Sequence, residues 1–389
     1  MLILHDVHTI ENGLKDVAIE DGTIRAIGSS AKSKANNETH IYFDDALIFP
    51  GLINSHDHLD FNLFPRLGNG IYKNYLEWGD DIHSQNKTVI NHVLQVPKKI
   101  RTQWGIYKNL LNGITTVFNH GGPLEIQYSP IDVFQDKGSL HSVRLEKSWK
   151  WKLNDPFRIK SRVVIHAGEG TDEESHEEIN ALIKWNKLHK KLIAIHGVAM
   201  DVRQAAAFQA LVWCPDSNLF LLGKTAAVNE LKHVIPIVFG TDSTVSADWS
   251  IWNQLRIAKE TGLLTNAELV ASVTSSPAKL RGLHAGVLAK GAIADLVVAE
   301  KKFDNATDAF FAVNPESILI VVKSGNIVLF DESLQAQLGR QRTNTSDFCR
   351  IAVNDRFKYV KADVSGLLKK IRHFAKDISL PIESAEVSR

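Results

Sequence analysis

Histidines and carboxylates stand at the ends of short apolar runs in this chain, where they could gather around one metal ion. His56-Asp57-His58 follows the run Ala46 to Ile53, Arg162-Val163-Val164-Ile165 ends at His166, Leu192-Ile193-Ala194-Ile195 ends at His196, and Ile235 to Phe239 ends at Gly240-Thr241-Asp242. Side chains at i and i+2 of a strand point the same way, so His56 and His58 can face one ion. A His-x-His pair alone is a weak signal, since most such pairs are structural or lie on the surface. Five residues closing apolar runs are a stronger one. Imidazoles with one carboxylate suit zinc, with water in an open position. Counting donors leaves His56, His58, His166, His196 and Asp242 all as candidate ligands. Glu169 lies three residues after His166 and can swing over the same site as a proton shuttle.

The elements that position these residues follow from the same runs. Ile114 to Phe118 leads into Asn119-His120, and Ala210 to Trp213 leads into Cys214-Pro215. Apolar strands alternating with helical stretches imply a parallel sheet. In a β/α barrel the reactive side chains sit where strands end. The expected fold class is α/β, a (β/α)8 TIM barrel over 52–285. The stretch from His120 to His166 is short for the two β/α units it must hold, at about 30 residues each, so the barrel is trimmed or distorted around 120–166. One strand falls near Leu140 to Leu145, and the other has no clear place.

Both ends of the chain read as strands. Asp21-Gly22 marks a hairpin between two short runs, and 294–298, 318–322 and 327–330 are strand-like. Residues 1–51 and 286–335 are therefore expected to form one small composite β-sandwich. Residues 336–389 form a C-terminal extension, with a helix over 364–374. The polar stretch 29–39 reads as a loop, and the final residues read as loose.

Composition narrows the function. The 389 residues carry 45 basic and 44 acidic side chains, so no global field draws nucleic acid or a membrane surface. No apolar run approaches the roughly 20 residues that span a bilayer. Two cysteines build no disulfide framework and fit a reducing compartment. The expectation is a cytoplasmic protein with a small-molecule substrate and neither nucleic-acid nor membrane partners. A homo-oligomer is compatible with it.

Longer motifs surround these residues. They are Phe49-Pro50-Gly51-Leu52-Ile53-Asn54-Ser55-His56-Asp57-His58, His166-Ala167-Gly168-Glu169, Ile195-His196-Gly197, Gly240-Thr241-Asp242-Ser243, and the run Gly291 to Val298. In this order they resemble the amidohydrolase superfamily. The His-Ala-x-Glu element, with Cys214-Pro215-Asp216-Ser217-Asn218, is similar to the branch holding cytosine, guanine and S-adenosylhomocysteine deaminases and chlorotriazine hydrolases. The resemblance implies that His56, His58, His166 and Asp242 ligate one divalent metal. Zinc is the first choice, and iron or manganese would accept the same donors. It implies that Glu169 protonates the leaving nitrogen. His196 would hydrogen-bond the water or the oxyanion rather than ligate, and Asp242 would take a proton from the water. The implied function is hydrolysis of a C–N bond, by deamination or ring opening, in a small heterocyclic or amide substrate. Trp213 departs from the pattern, standing where many relatives carry histidine.

Secondary candidates lie nearby. His120, His141, Arg144 and Asn218 are expected to contact substrate, with Arg144 suited to an anionic group. Asn218 could instead anchor its loop near Asp242. Trp149 and Trp151 could wall a ring-binding pocket or simply fill core. An alternative is a binuclear cyclic-amide hydrolase or amidase with a carbamylated Lys147. Another is a non-catalytic scaffold of the same fold, against which the complete donor set argues.

Overall fold

The computed structural model describes residues 1–11, 13–31, 38–126, 128–158, 161–341 and 344–385. Most of the polar stretch expected as a loop at 29–39, and the last residues 386–389, lie outside them.

Strands β1 (Leu2–Thr9), β2 (Leu14–Glu20), β3 (Thr23–Ile27) and β4 (Thr39–Pro50) open the chain. Eight parallel strands follow: β5 (Leu52–Asp57), β6 (Ile114–Asn119), β7 (Asp132–Gln135), β8 (Leu140–Ser142), β9 (Val163–Ala167), β10 (Leu192–His196), β11 (Ala210–Trp213) and β12 (Ile237–Phe239). All residues of β9, β10 and β11 are buried. That burial explains their unbroken apolar sequences, since strands covered on both faces need no alternation. The eight form two arcs in chain order, β5-β6-β7 and β8 to β12. Among the described residues no ladder joins β7 to β8 or β12 to β5. Past the strand ends, the Thr241 and Asp242 amides both donate to the His56 carbonyl at 3.1 Å, which draws the exits of β5 and β12 together.

The short stretch 120–166 holds both missing strands. β7 and β8 follow one another through a tight turn with no helix between them, and that omission is the trimming the sequence requires. β7 is largely exposed, so it carries no apolar run to betray it.

The C-terminal third adds β13 (Leu296–Glu300), β14 (Ile318–Lys323), β15 (Asn326–Asp331), β16 (Cys349–Val353), β17 (Arg356–Val360) and β18 (Ile382–Ser384). These join β1 to β4 in one continuous ten-stranded sheet. The sheet is continuous because the twelve-residue β4 pairs parallel with β1 on one side and antiparallel with β13 on the other. Along β4, Ala46 and Ile48 enter a core private to this sheet, while Leu47 and Phe49 enter the large core shared with the parallel strands. Residues beyond 335 do not stand apart, since β16 to β18 extend the same sheet. The helix Val364–Phe374 lies where the sequence places it.

Among the described residues three α-helices separate β5 from β6: Tyr75–Gln85, Lys87–Leu94 and Lys98–Leu111. The first is capped by the Asn74 side chain, which accepts from the Leu76 and Glu77 amides. The third packs against the segment just after His58. A Cβ on Gly105 there would overlap the Leu59 carbonyl. Among the described residues no helix is long and apolar enough to cross a membrane.

Gly105→Ala therefore tests how firmly this helix is held. Overpacking should cost about 1–3 kcal/mol, outweighing the roughly 1 kcal/mol alanine gains over glycine in a helix interior. Urea denaturation should show a lower midpoint. An unchanged or higher midpoint would mean that the helix can move off Leu59.

Candidate metal centre and active site

Strand alternation sets the first two donors. His56 and His58 leave the end of β5 on one side, and Asp57 leaves on the other. Asp57 is fully buried, and its Oδ2 accepts from Lys108 Nζ at 3.1 Å and from Asn109 Nδ2 at 2.8 Å. Its Oδ1 accepts from Asn62 Nδ2 at 2.7 Å. The network therefore locks the strand end that presents both imidazoles.

The remaining donors come from β9, β10 and the loop after β12. His58 Nε2 and His166 Nε2 stand 3.4 Å apart. Asp242 Oδ1 lies 3.6 Å from His56 Nε2 and 3.7 Å from His58 Nε2. His166 Nδ1 donates to the His141 carbonyl at 2.8 Å, so its Nε2 presents a lone pair to the cluster. His56 Nε2 is buried without a hydrogen-bond partner. Asp242 Oδ2 accepts from Ser217 and Ser246 hydroxyls at 2.8 and 2.9 Å, leaving Oδ1 for the cluster. Lone pairs facing one another and a carboxylate across such distances fit a divalent cation. His56, His58, His166 and Asp242 thus lie together at the strand ends.

His196 and Asp242 both adopt left-handed backbone, with φ of 71° and 53°. Such conformations are costly outside glycine and cluster where function holds them. They turn the chain at the strand end and send each side chain over the cluster. His196 Nδ1 donates to Asn218 Oδ1 at 2.8 Å, and its Nε2 lies 3.5 Å from Glu169 Oε1. Burial foremost pushes the His196 pKa down to about 4, so its ring is neutral near pH 7. With the proton on Nδ1, Nε2 is an acceptor.

Two buried carboxyls sit in opposite states. Burial first, then the charges of Asp242 and Glu178, raise Glu169 well above the usual carboxylate range, which favours its protonated form. Burial also raises Asp242, but the His56 ring and the neighbouring imidazoles outweigh it and keep Asp242 ionised.

The secondary candidates divide. His141 reaches the cavity, and its carbonyl also orients His166. His120 is buried beside the ligands, bound to Ser139 at 2.9 Å, and does not line the cavity. Arg144 is not offered to an anionic substrate. It is engaged by Glu178 at 3.3 Å and Asp172 at 3.5 Å, while Glu178 also accepts from the Gly168 amide at 2.8 Å. Arg144 thus steadies the turn that carries Glu169. Asn218 is a support for His196 rather than a substrate contact. Trp149 is core and Trp151 is exposed, so neither walls the cavity. Lys147 is exposed and takes no part in the cluster.

Sequence reasoning passed over Ser217 and Ser246 as supports of Asp242, Lys108 as the partner of Asp57, and the whole cavity wall from 61 to 94. Ser217 sits inside a quoted motif and could have been found there. The others depend on which way helices face.

The cavity above the cluster measures about 350 Å³. Phe61, Phe64, Trp78 and Ile82 are among its walls, and Tyr75 lines it while donating to Ser142 at 3.0 Å.

The profile described as "Amidohydrolase family" matches residues 149–328, which take in His166, Glu169, His196 and Asp242. A 5-methylthioadenosine/S-adenosylhomocysteine deaminase from Pyrococcus furiosus is 24% identical, over 77% of this chain and 84% of its own length. An adenosine deaminase structure from Xanthomonas campestris with bound zinc superposes with a TM-score of 0.71 at 17% identity, covering 97% of this chain and 98% of that one. A zinc complex of atrazine chlorohydrolase from Arthrobacter aurescens gives a TM-score of 0.68 at 15% identity, covering 96% and 100%.

Purified protein should carry about one equivalent of divalent metal by elemental analysis. Occupancy should fall in His58→Ala and Asp242→Asn and stay unchanged in Lys147→Ala. Two equivalents that vanish together in Lys147→Ala would reinstate the binuclear reading.

Proposed function

We propose that the chain is a metal-dependent hydrolase of carbon–nitrogen bonds in the amidohydrolase superfamily, a one-metal aminohydrolase working at the mouth of a trimmed (β/α)8 barrel. The observation that carries this reading is geometric: His56, His58 and His166 converge on one point, with the buried carboxyls of Asp242 and Glu169 flanking it and shifted in opposite directions by their surroundings. The deaminase names of its relatives favour an exocyclic amine on a heterocycle as the group removed. Ring opening or amide hydrolysis would use the same residues. The scaffold alternative would leave the complete donor set and the raised Glu169 without a use.

Zinc, bound by His56, His58, His166 and Asp242, would supply Lewis acidity and lower the pKa of a water to about 7. Asp242 Oδ1 is placed to receive a proton from the attacking water, since Oδ2 is already occupied by two serine hydroxyls. Glu169 holds the proton the departing nitrogen needs. His196 Nε2, the unprotonated ring nitrogen, accepts a hydrogen bond from the attacking water and orients it. Asn218 keeps that ring in register throughout.

Glu169→Gln keeps size and hydrogen-bonding reach but transfers no proton. Ammonia release should fall about 10²–10⁴-fold, with metal content and melting temperature near those of the parent. Because the acid form is the working one, the parent's kcat/KM should decline as pH rises through the elevated pKa of Glu169, and that limb should vanish in the variant. Parental turnover in a folded, metal-replete Glu169→Gln protein would assign the shuttle to another residue.

A further inference from the structure

The cavity is chemically uneven. At the cluster it presents Glu169, His196, Asp242 and the buried, unpartnered hydroxyl of Ser243. Away from the cluster its wall is Leu67, Trp78, Ile82, Ile90, Leu94 and Val245. Among the described residues no lysine or arginine lines it, and Glu169 and Asp242 are its only carboxyls. Beyond the reacting end the helix Tyr75–Gln85 lends the cavity one imidazole, His83, and a charged group entering there would meet no lysine, arginine or carboxylate, so burying it would be costly.

Within this wall one residue has no side chain. Gly79 lies in the interior of the helix Tyr75–Gln85 and lines the cavity together with Tyr75, Trp78, Ile82 and His83 of the same helix. At 3.6 residues per turn, positions 75, 78, 79, 82 and 83 share one helix face. A Cβ on Gly79 would meet no protein atom within 4 Å. Glycine in a helix interior is costly relative to alanine, and packing accounts for it at Gly105, where Leu59 fills the space. At Gly79 no protein group claims the space, and it opens on the cavity. The neighbouring wall is fixed, because Trp78 Nε1 donates to the Leu67 carbonyl at 2.9 Å.

We propose that Gly79 is a specificity-determining position, leaving room for an uncharged, apolar arm of the substrate that runs from the reacting carbon beneath the helix Tyr75–Gln85, along Trp78, Ile82 and Leu94. The proposal rests on the hydrolase reading, which places the reacting end of the substrate at the donor cluster. The substrate class is then a small amine-bearing or amide head joined to an aryl or alkyl extension without charge.

The test uses metal-loaded protein and a graded set of probes: acetohydroxamate, then phenylalkyl hydroxamates with zero to four methylenes, then chains of equal length ending in carboxylate or ammonium. Calorimetric affinity should rise up to about fourfold per methylene until the cavity is filled. Gly79→Leu should bind the longest phenylalkyl probes at least tenfold more weakly and acetohydroxamate as the parent does, while its melting temperature does not fall. Gly79→Ala should lie between. Affinity independent of arm length in the parent, or long-arm binding undiminished in Gly79→Leu, overturns the role of Gly79. Tighter binding of the charged-end probes than of the phenyl ones overturns the substrate class. If no hydroxamate binds the metal-loaded parent, the metal-centre reading itself fails and the arm falls with it, an outcome distinct from binding that ignores arm length.

Discussion

A buried carboxylate between two histidines organises this protein. Asp57 must point away from the side that His56 and His58 face, and so it lies in the interior behind the site, where an unpaired charge is not tolerated. Lys108 neutralises it, and Asn54, Asn62 and Asn109 fill its remaining hydrogen-bond capacity. Removing either partner of such a buried pair typically costs about 3–5 kcal/mol. The same network reaches across to the far side of the site. Asn54 Nδ2 donates to Thr241 Oγ1 at 2.7 Å, and the Thr241 amide donates back to Asn54 Oδ1 at 3.0 Å. Thr241 immediately precedes Asp242, so one polar cluster sets the relative positions of the first and last donors, which are far apart in sequence.

The strand ends convert that fixed frame into chemistry. Left-handed backbone at His196 and Asp242 is stored strain, held by ladder and loop hydrogen bonds on either side. Each turns a side chain inward over the cluster, where water is scarce and the local charges decide protonation. Glu169 and Asp242 share one enclosure and yet divide into acid and base, because imidazoles surround one and burial dominates the other.

What could be read from the sequence was local. Donors at the ends of apolar runs stand out because a buried parallel strand is a short unbroken pattern that stops at a polar residue. Arg144 was misjudged because its partners Asp172 and Glu178 lie on a later turn and helix whose facing no local pattern reveals. For Asn218 the sequence leaves loop anchor and substrate contact both open, because its bond to His196 links two separate strand ends. β7 escaped because an exposed four-residue strand has no apolar signature. β16 to β18 escaped because partly exposed strands at a sheet's margin resemble loops, and the sandwich expected at the termini is a single sheet because β4 bridges its two halves.

That bridging strand also dictates how the chain must be made. β4 leaves the ribosome well before its antiparallel partner β13, which follows about 250 residues later, on the order of 10–50 s at ordinary synthesis rates. Throughout that interval Ala46 to Phe49 present an apolar edge with no neighbour on one side, the kind of surface that invites aggregation. The nascent chain therefore completes its eight parallel strands before β4 can be sealed. Closure of the β4–β13 seam is a late, long-range event, and shielding of β4 during synthesis is a requirement built into the connectivity of the fold.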